Sequence, residues 1–339
     1  MANQVDKVNG VAIASIEKVN GMTDANIQAF NSLEFTGVAP WGGLTWTAGA
    51  DYTFVSSTGY TGTIAEGFMA GGYKPSSRTK VTTKYNGTSW SDHGDWDLNE
   101  ASSNPSLSGS GTAALAFARA ALTNPSLTTE KFDGTGWTNS ADMVRAHRGG
   151  TGTTDANAIQ DAGDNDATNQ VWNDVAWSNA GECNQNTHLH KHAGSSTDAI
   201  KWSGYSYDAG WDFFGAETLD STTWTEITNC LNDAAYGASW GDGSTFAVGY
   251  GGINYNSPYG SPTPHVVNRS ANRWDGSAWS VENQAPDAGG TLGGLYNGTF
   301  PVATIGNSAS EGAVYHAGYT YTAADTHTKV QTTFHATWD

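Results

Sequence analysis

Two patterns of apolar and polar positions alternate along most of the chain. The first is a short apolar run rich in small residues. It occurs as EGFMAGGY at 66–73, GTAALAFA at 111–118, NAIQDAGD at 157–164, STFAVGYGG at 244–252 and EGAVYHAGY at 311–319, with TDAIKWSGY at 197–205 as a looser copy. Runs this short, bounded by turn residues, predict buried strands rather than helices. Small residues suit inner strands that converge on a narrow axis, where neighbouring backbones approach closely. The second pattern follows each run: an aromatic or apolar residue, a few turn residues, then Trp. It reads KYNGTSW at 84–90, KFDGTGW at 131–137, VWNDVAW at 171–177, TLDSTTW at 218–224, RWDGSAW at 273–279 and TFHATW at 333–338. Its closing residues, Trp90, Trp137, Trp177, Trp224, Trp279 and Trp338, lie 47, 40, 47, 55 and 59 residues apart.

The second pattern predicts a β-hairpin. Asn86-Gly87, Asp133-Gly134 and Asp275-Gly276 supply residues that tolerate positive φ in a tight turn. Tyr85, Phe132 and Trp274 then sit across the turn from Trp90, Trp137 and Trp279. Cross-strand aromatic pairs of this kind cover a sheet face and pin its register, which makes the six tryptophans structural anchors.

The first 36 residues follow neither pattern. KVNG occurs at 7–10 and again at 18–21, and Val5, Val8 and Val11, then Ile16, Val19 and Met22, recur at every third position. That spacing fits neither a clean helix nor a clean strand. Residues 23–33, TDANIQAFNSL, predict one helix capped by Thr23, with Ile27, Phe30 and Leu33 along one side. The piece is too short to build a core of its own. We therefore read 1–36 as an anchoring and assembly extension and 37–339 as the main domain, with Val8, Val11, Ile13, Ile16 and Val19 as the apolar residues offered to a partner or to further copies of the chain.

Composition narrows the function. Fifteen Lys plus Arg against 33 Asp plus Glu give a net charge of −18, so no overall field draws the chain to nucleic acid or to an anionic membrane. No apolar stretch approaches the roughly 20 residues needed to span a bilayer as a helix, and the N-terminus lacks a secretory pattern. Only 14% of residues are charged while Gly reaches 42, and Trp and Tyr reach 14 each, which points to an all-β chain with many tight turns. The two cysteines, Cys183 and Cys230, read as unpaired small core residues in preference to a bridge.

The glycine doublets, the aromatic-turn-Trp hairpins and a period near 50 residues resemble Kelch-type repeats. The phrasing N-x-T-x-W is similar to Kelch-like proteins of marine bacteriophages, and KVNG resembles N-terminal segments of phage structural proteins. The resemblance spans about 44–339 and implies a β-propeller. Six hairpins predict six blades, with a degenerate seventh as the alternative, and the run 43–55 predicts a strand that completes the last blade. The implied role is a non-enzymatic virion protein on the outer surface of a phage, of tail-fibre or capsid-decoration type. Residues 1–36 would bind other virion proteins and the propeller would serve host adhesion. A free-standing lectin or protein-interaction propeller is the alternative, and a propeller glycoside hydrolase the second.

Candidate chemistry is sparse. NTHLHKH at 186–192 alternates His188, His190 and His192, so a strand there points all three to one face. Neutral imidazoles so arranged bind zinc, nickel or iron. Cys183 is near in sequence and His147 is available from a neighbouring blade. A divalent metal, held in one chain or shared by three, is the one cofactor suggested; an exposed polar loop is the competing reading. Asp161, Asp164 and Asp166 in DAGDNDATN form an acidic loop of the kind that holds calcium, without the closing Glu of the helix-loop-helix pattern. Nucleophile elbows, zinc-protease helices and phosphate loops are all missing. For a host-surface glycan, Tyr205, Tyr207 and Trp211 in one loop and Tyr255 and Tyr259 in another, proline-stiffened loop offer stacking faces.

Overall fold

The structure, a computed structural model of the chain, describes most residues between 59 and 282. It also describes the strands Leu44–Thr53, Ala313–His316 and Val330–Trp338, and six two-residue strands between Lys7 and Glu34. Among the described residues every regular element is a strand. The chain separates into two compact units, Met1–Thr45 with Trp338–Asp339, and Trp46–Thr337.

Among the described residues the larger unit is a β-propeller arrangement of five four-stranded antiparallel meanders. Blade 1 comprises Gly59–Gly62, Gly67–Ala70, Thr82–Tyr85 and Trp90–Asp92; blade 2, Ser106–Gly109, Ala114–Phe117, Glu130–Phe132 and Trp137–Asn139. Blade 3 comprises Thr151–Thr154, Asn157–Gln160, Thr168–Trp172 and Trp177–Glu182; blade 4, Lys191–Gly194, Asp198–Trp202, Ala216–Asp220 and Thr223–Ile227. Blade 5 comprises Ala238–Gly243, Phe246–Tyr250, Ala271–Trp274 and Trp279–Glu282. Six hairpin phrases predict six blades, but among the described residues there are five four-stranded blades and the sixth phrase falls in a three-stranded sheet. In that sheet the strand Val330–Trp338 lies between Ala313–His316 and Leu44–Thr53.

The small-residue runs form the second strand of each blade, not the innermost as their composition suggests. The first strands of consecutive blades pack side by side. Crowding is tightest there. Gly194 has φ +105°, and a Cβ on it would lie 2.2 Å from the Asp198 carbonyl and 2.7 Å from Gly243 Cα of the next blade. Only glycine fits both the conformation and the space.

The hairpins pair as their pattern predicts, with Tyr85 opposite Trp90, Phe132 opposite Trp137 and Trp274 opposite Trp279. Trp172 opposes Trp177 and Leu219 opposes Trp224 in the same way. The turns differ from expectation in one respect. Gly87, Gly134 and Gly276 take positive φ, but their Asn and Asp neighbours do not. Each instead caps the loop with its side chain: Asn86 Oδ1 accepts from the Thr88 and Ser89 amides at 3.0 and 2.8 Å, and Asp133 and Asp275 repeat the pattern.

The tryptophans do more than cover a blade face. Trp137 packs on Phe68 of blade 1 as well as on Phe132, with centroids 5.7 and 5.3 Å away. Trp177 meets Phe117 of blade 2 at 5.1 Å, and Trp279 meets Trp202 of blade 4 at 5.4 Å. The apolar core is thus a series of clusters between successive blades. Three indoles also bond backward across the joint: Trp137 Nε1 to Thr82 Oγ1 at 3.1 Å, Trp177 Nε1 to Thr129 Oγ1 at 2.8 Å and Trp279 Nε1 to the Thr228 carbonyl at 2.8 Å.

A second device works at the same joints. Seven residues before its closing Trp, each blade carries a buried polar residue: Thr83, Glu130, Gln170, Glu217 and Asn272. In blades 2 to 4 that side chain captures backbone arriving from the preceding blade. Glu130 Oε2 accepts from the Asn99 amide at 2.8 Å, Gln170 Oε1 from the Val144 and Arg145 amides at 2.6 and 3.0 Å, and Glu217 Oε2 from the Asn184 amide at 2.8 Å. Buried amides need such acceptors, since an unpaired one costs about 1–3 kcal/mol.

In the smaller unit the helix predicted over 23–33 does not form. Lys7–Val8 pairs with Val11–Ala12, Lys18–Val19 with Met22–Thr23, and Ala29–Phe30 with Leu33–Glu34. The three hairpins start eleven residues apart at 7, 18 and 29, so AFNSLE at 29–34 is a third, divergent copy of the KVNG phrase. In the sequence, Asn9-Gly10, Asn20-Gly21 and Asn31-Ser32 stand between the paired strands. An Asn-led pair of residues between short strands is a hairpin signal in sequence, and here it outweighs the apolar spacing that suggests a helix.

Candidate metal centre

The densest titratable cluster lies where blade 3 meets blade 4. Asp161 follows the second strand of blade 3, and His190 and His192 flank the start of the first strand of blade 4. The ligand atoms of these three residues lie within 4.8 Å of one another. His190 Nε2 stands 2.9 Å from Asp161 Oδ2, and His190 Nδ1 stands 3.1 Å from the Thr187 carbonyl. Both ring nitrogens face acceptors, so both bonds form together only when the ring carries both protons. The His192 ring meets the His190 ring edge-on at 5.5 Å, and its Nδ1 lies 4.0 Å from Asp161 Oδ1.

The Asp161 and His190 side chains are sealed from solvent, while His192 keeps 21% of its side chain exposed. Burial alone would raise the Asp161 carboxyl. The facing His190, through charge and hydrogen bond, and the positive charge of His192 and Lys201 reverse that and hold it well below the usual carboxylate range. Burial pulls the His192 imidazole down to about 4, against the opposing attraction of Asp161. The cluster is held from behind by a polar chain: Gln160 Nε2 donates to the Asp161 carbonyl at 2.6 Å, and Gln170 Nε2 donates to Gln160 Oε1 at 2.7 Å. Ser239 Oγ of blade 5 grips the His192 backbone, accepting from its amide at 3.1 Å and donating to its carbonyl at 2.7 Å.

Of the three alternating histidines, His190 and His192 are among the described residues. The described strand is Lys191–Gly194, with His190 just before it, and among the described residues the third group beside the two histidines is Asp161, 29 residues earlier. His188 and His147 lie outside the described residues. Cys183 turns elsewhere: its buried Sγ donates to the Ala167 and Gln185 carbonyls at 3.3 and 3.1 Å. Cys230 occupies the matching place in blade 4 and donates to the Phe214 carbonyl at 3.1 Å; both thiols are free and buried. The acidic loop does not gather its carboxylates. Asp161 turns to His190, Asp166 pairs with Arg145 and accepts from the Thr168 amide at 2.9 Å, and Asp164 lies outside the described residues.

Among the expected glycan contacts, Tyr205 and Trp211 stand on a two-stranded hairpin inserted between the second and third strands of blade 4, with Tyr205 opposite Asp212 and Ser206 opposite Trp211. Tyr207, Tyr255 and Tyr259 lie outside the described residues. Val8 faces Val11, and Val19 faces Met22, across the first two N-terminal hairpins, while Ile13 and Ile16 lie outside the described residues. Of the six anchor tryptophans, Trp137, Trp177, Trp224 and Trp279 are buried and Trp90 is half-buried against Tyr85. Trp338 ends the last strand. No protein-family model matches the chain, and no curated protein matches it.

Proposed function

We propose that this chain is a non-enzymatic, Kelch-like surface propeller of a bacteriophage particle, fixed to the virion by its N-terminal extension and serving host adhesion. The observation that carries the reading is the threefold hairpin repeat at 7–12, 18–23 and 29–34, in a compact unit of its own. Two-residue strands do not sustain themselves in water, and an extension that repeats one hairpin three times offers three equivalent contacts to a partner or to further copies. The hairpin bearing Tyr205 and Trp211 supports adhesion, because an insertion between blade strands is where a propeller carries variable recognition surface. The acidic balance of the chain favours a sugar or protein target over nucleic acid.

The test compares the solution mass of the full chain with that of a chain beginning at Gly37, by light scattering. Assembly of the full chain beside a folded, monomeric shortened chain supports the extension as an assembly arm. Monomers of equal stability in both cases count against it, and a glycan array then tests the propeller as a free-standing lectin.

A further inference from the structure

The blades can be aligned through their ladders. Gly67, Ala114, Ala158 and Ala199 each lie opposite the residue that begins the hairpin turn. Three residues further on, blades 1, 2 and 4 place Ala70, Phe117 and Trp202, each no more than 1% exposed. Blade 3 places Asp161 in that slot, also 1% exposed. A carboxylate in a position that blades 1, 2 and 4 fill with buried apolar side chains is costly unless it is compensated.

Compensation is only partial within the chain. His190 serves Asp161 Oδ2, but Asp161 Oδ1 and His192 Nδ1 are buried with no hydrogen-bond partner and face each other at 4.0 Å. A carboxylate oxygen and an imidazole nitrogen that both lack partners are served together by a cation between them. The surroundings leave room for one: Gly149 has φ +106°, and a Cβ there would press to 3.3 Å from His190 Cε1 and 3.9 Å from Asp161 Oδ1.

We propose that Asp161, His190 and His192 form a divalent transition-metal site that rivets blade 3 to blade 4. Two imidazoles and one carboxylate select zinc over calcium, which requires six or more oxygen ligands. His190 is prearranged as a ligand, because its Nδ1 is held by the Thr187 carbonyl and its Nε2 is aimed at the site. With its Nδ1–H donated to the Thr187 carbonyl, the neutral His190 ring offers its Nε2 lone pair to the metal. Tetrahedral ligands at about 2.1 Å stand about 3.4 Å apart. The 2.9 Å pair opens slightly and the 4.0 Å pair closes, by movement of the partly exposed His192 ring.

The test is calorimetric titration of zinc, and separately of calcium, into the full chain stripped of metal at pH 7. One zinc per chain and no saturable calcium binding are expected. His192→Ala and Asp161→Asn each weaken zinc by more than about 100-fold, while His188→Ala binds as the parent does. Zinc raises the melting temperature of the parent and of His188→Ala, but not that of His192→Ala. His192 is the most exposed of the three, so that variant keeps the test decisive even if Asp161→Asn does not fold. Three outcomes overturn the proposal: one zinc per three chains, binding lost with His188→Ala and kept with His192→Ala, or no zinc binding at all, which leaves a bridging water between the two atoms.

Discussion

The bond from Trp177 Nε1 to Thr129 Oγ1 joins blade 3 to blade 2 and can be measured by itself. It is 2.8 Å long, Trp177 is 6% exposed and Thr129 is 0% exposed, so water cannot replace either partner. Trp177→Phe removes the donor and part of the ring that packs on Phe117. Thr129→Val keeps the shape of the side chain and removes the acceptor. Each single change strands one buried polar group, at about 1–3 kcal/mol, and the Trp change adds a cavity penalty. The double variant strands neither group. It should therefore be more stable than the sum of the single effects by about 1–3 kcal/mol, well outside the 0.3–0.5 kcal/mol scatter of independent sites. Urea unfolding followed by far-ultraviolet circular dichroism gives the three values. Additivity within that scatter would refute the claim that these hydrogen bonds tie the blades together. Trp224→Phe is an internal contrast, because Trp224 Nε1 is buried with no partner and its loss carries no hydrogen-bond penalty.

Three further outcomes follow from buried groups. Glu217→Ala leaves Lys201, 2% exposed and 3.6 Å from the carboxylate, without its counter-charge, and should cost about 3–5 kcal/mol in denaturant unfolding; a loss below 1 kcal/mol would show that the Gln185 carbonyl, 2.6 Å from Lys201 Nζ, suffices. Gly194→Ala drives a Cβ into fixed backbone at positive φ, and a loss of about 3 kcal/mol or more is expected, read as a lowered melting temperature. Burial pushes the Cys183 thiol up. A folded-state value above the unfolded one gives stability that is present below the unfolded value and lost above it, so the chain should weaken as pH climbs past about 8.5. Thiol titration with a disulfide reagent should find no reactive group until denaturant is added.

The sequence determined what local chemistry controls. The hairpins were legible because Asn-Gly and Asp-Gly turns and flanking aromatics act within a few residues, and the registers Tyr85–Trp90, Phe132–Trp137 and Trp274–Trp279 follow from them. All-β character and the repeat were legible for the same reason. The helix expected over 23–33 shows the limit of apolar spacing, since the divergent phrase AFNSLE, without an Asn-Gly, hid the third hairpin. Tertiary structure alone decided the rest. Which strand lies innermost depends on how the blades pack, not on any one strand's composition. Glu130, Gln170 and Glu217 become joints only because folding brings to them amides 25 to 33 residues away. Asp161 meets His190 across a blade boundary, 29 residues apart, and no local pattern marks that pairing. The clue within the repeat, a carboxylate in an apolar slot, becomes readable once the ladders give the alignment, because burial and pairing are properties of the assembled sheets.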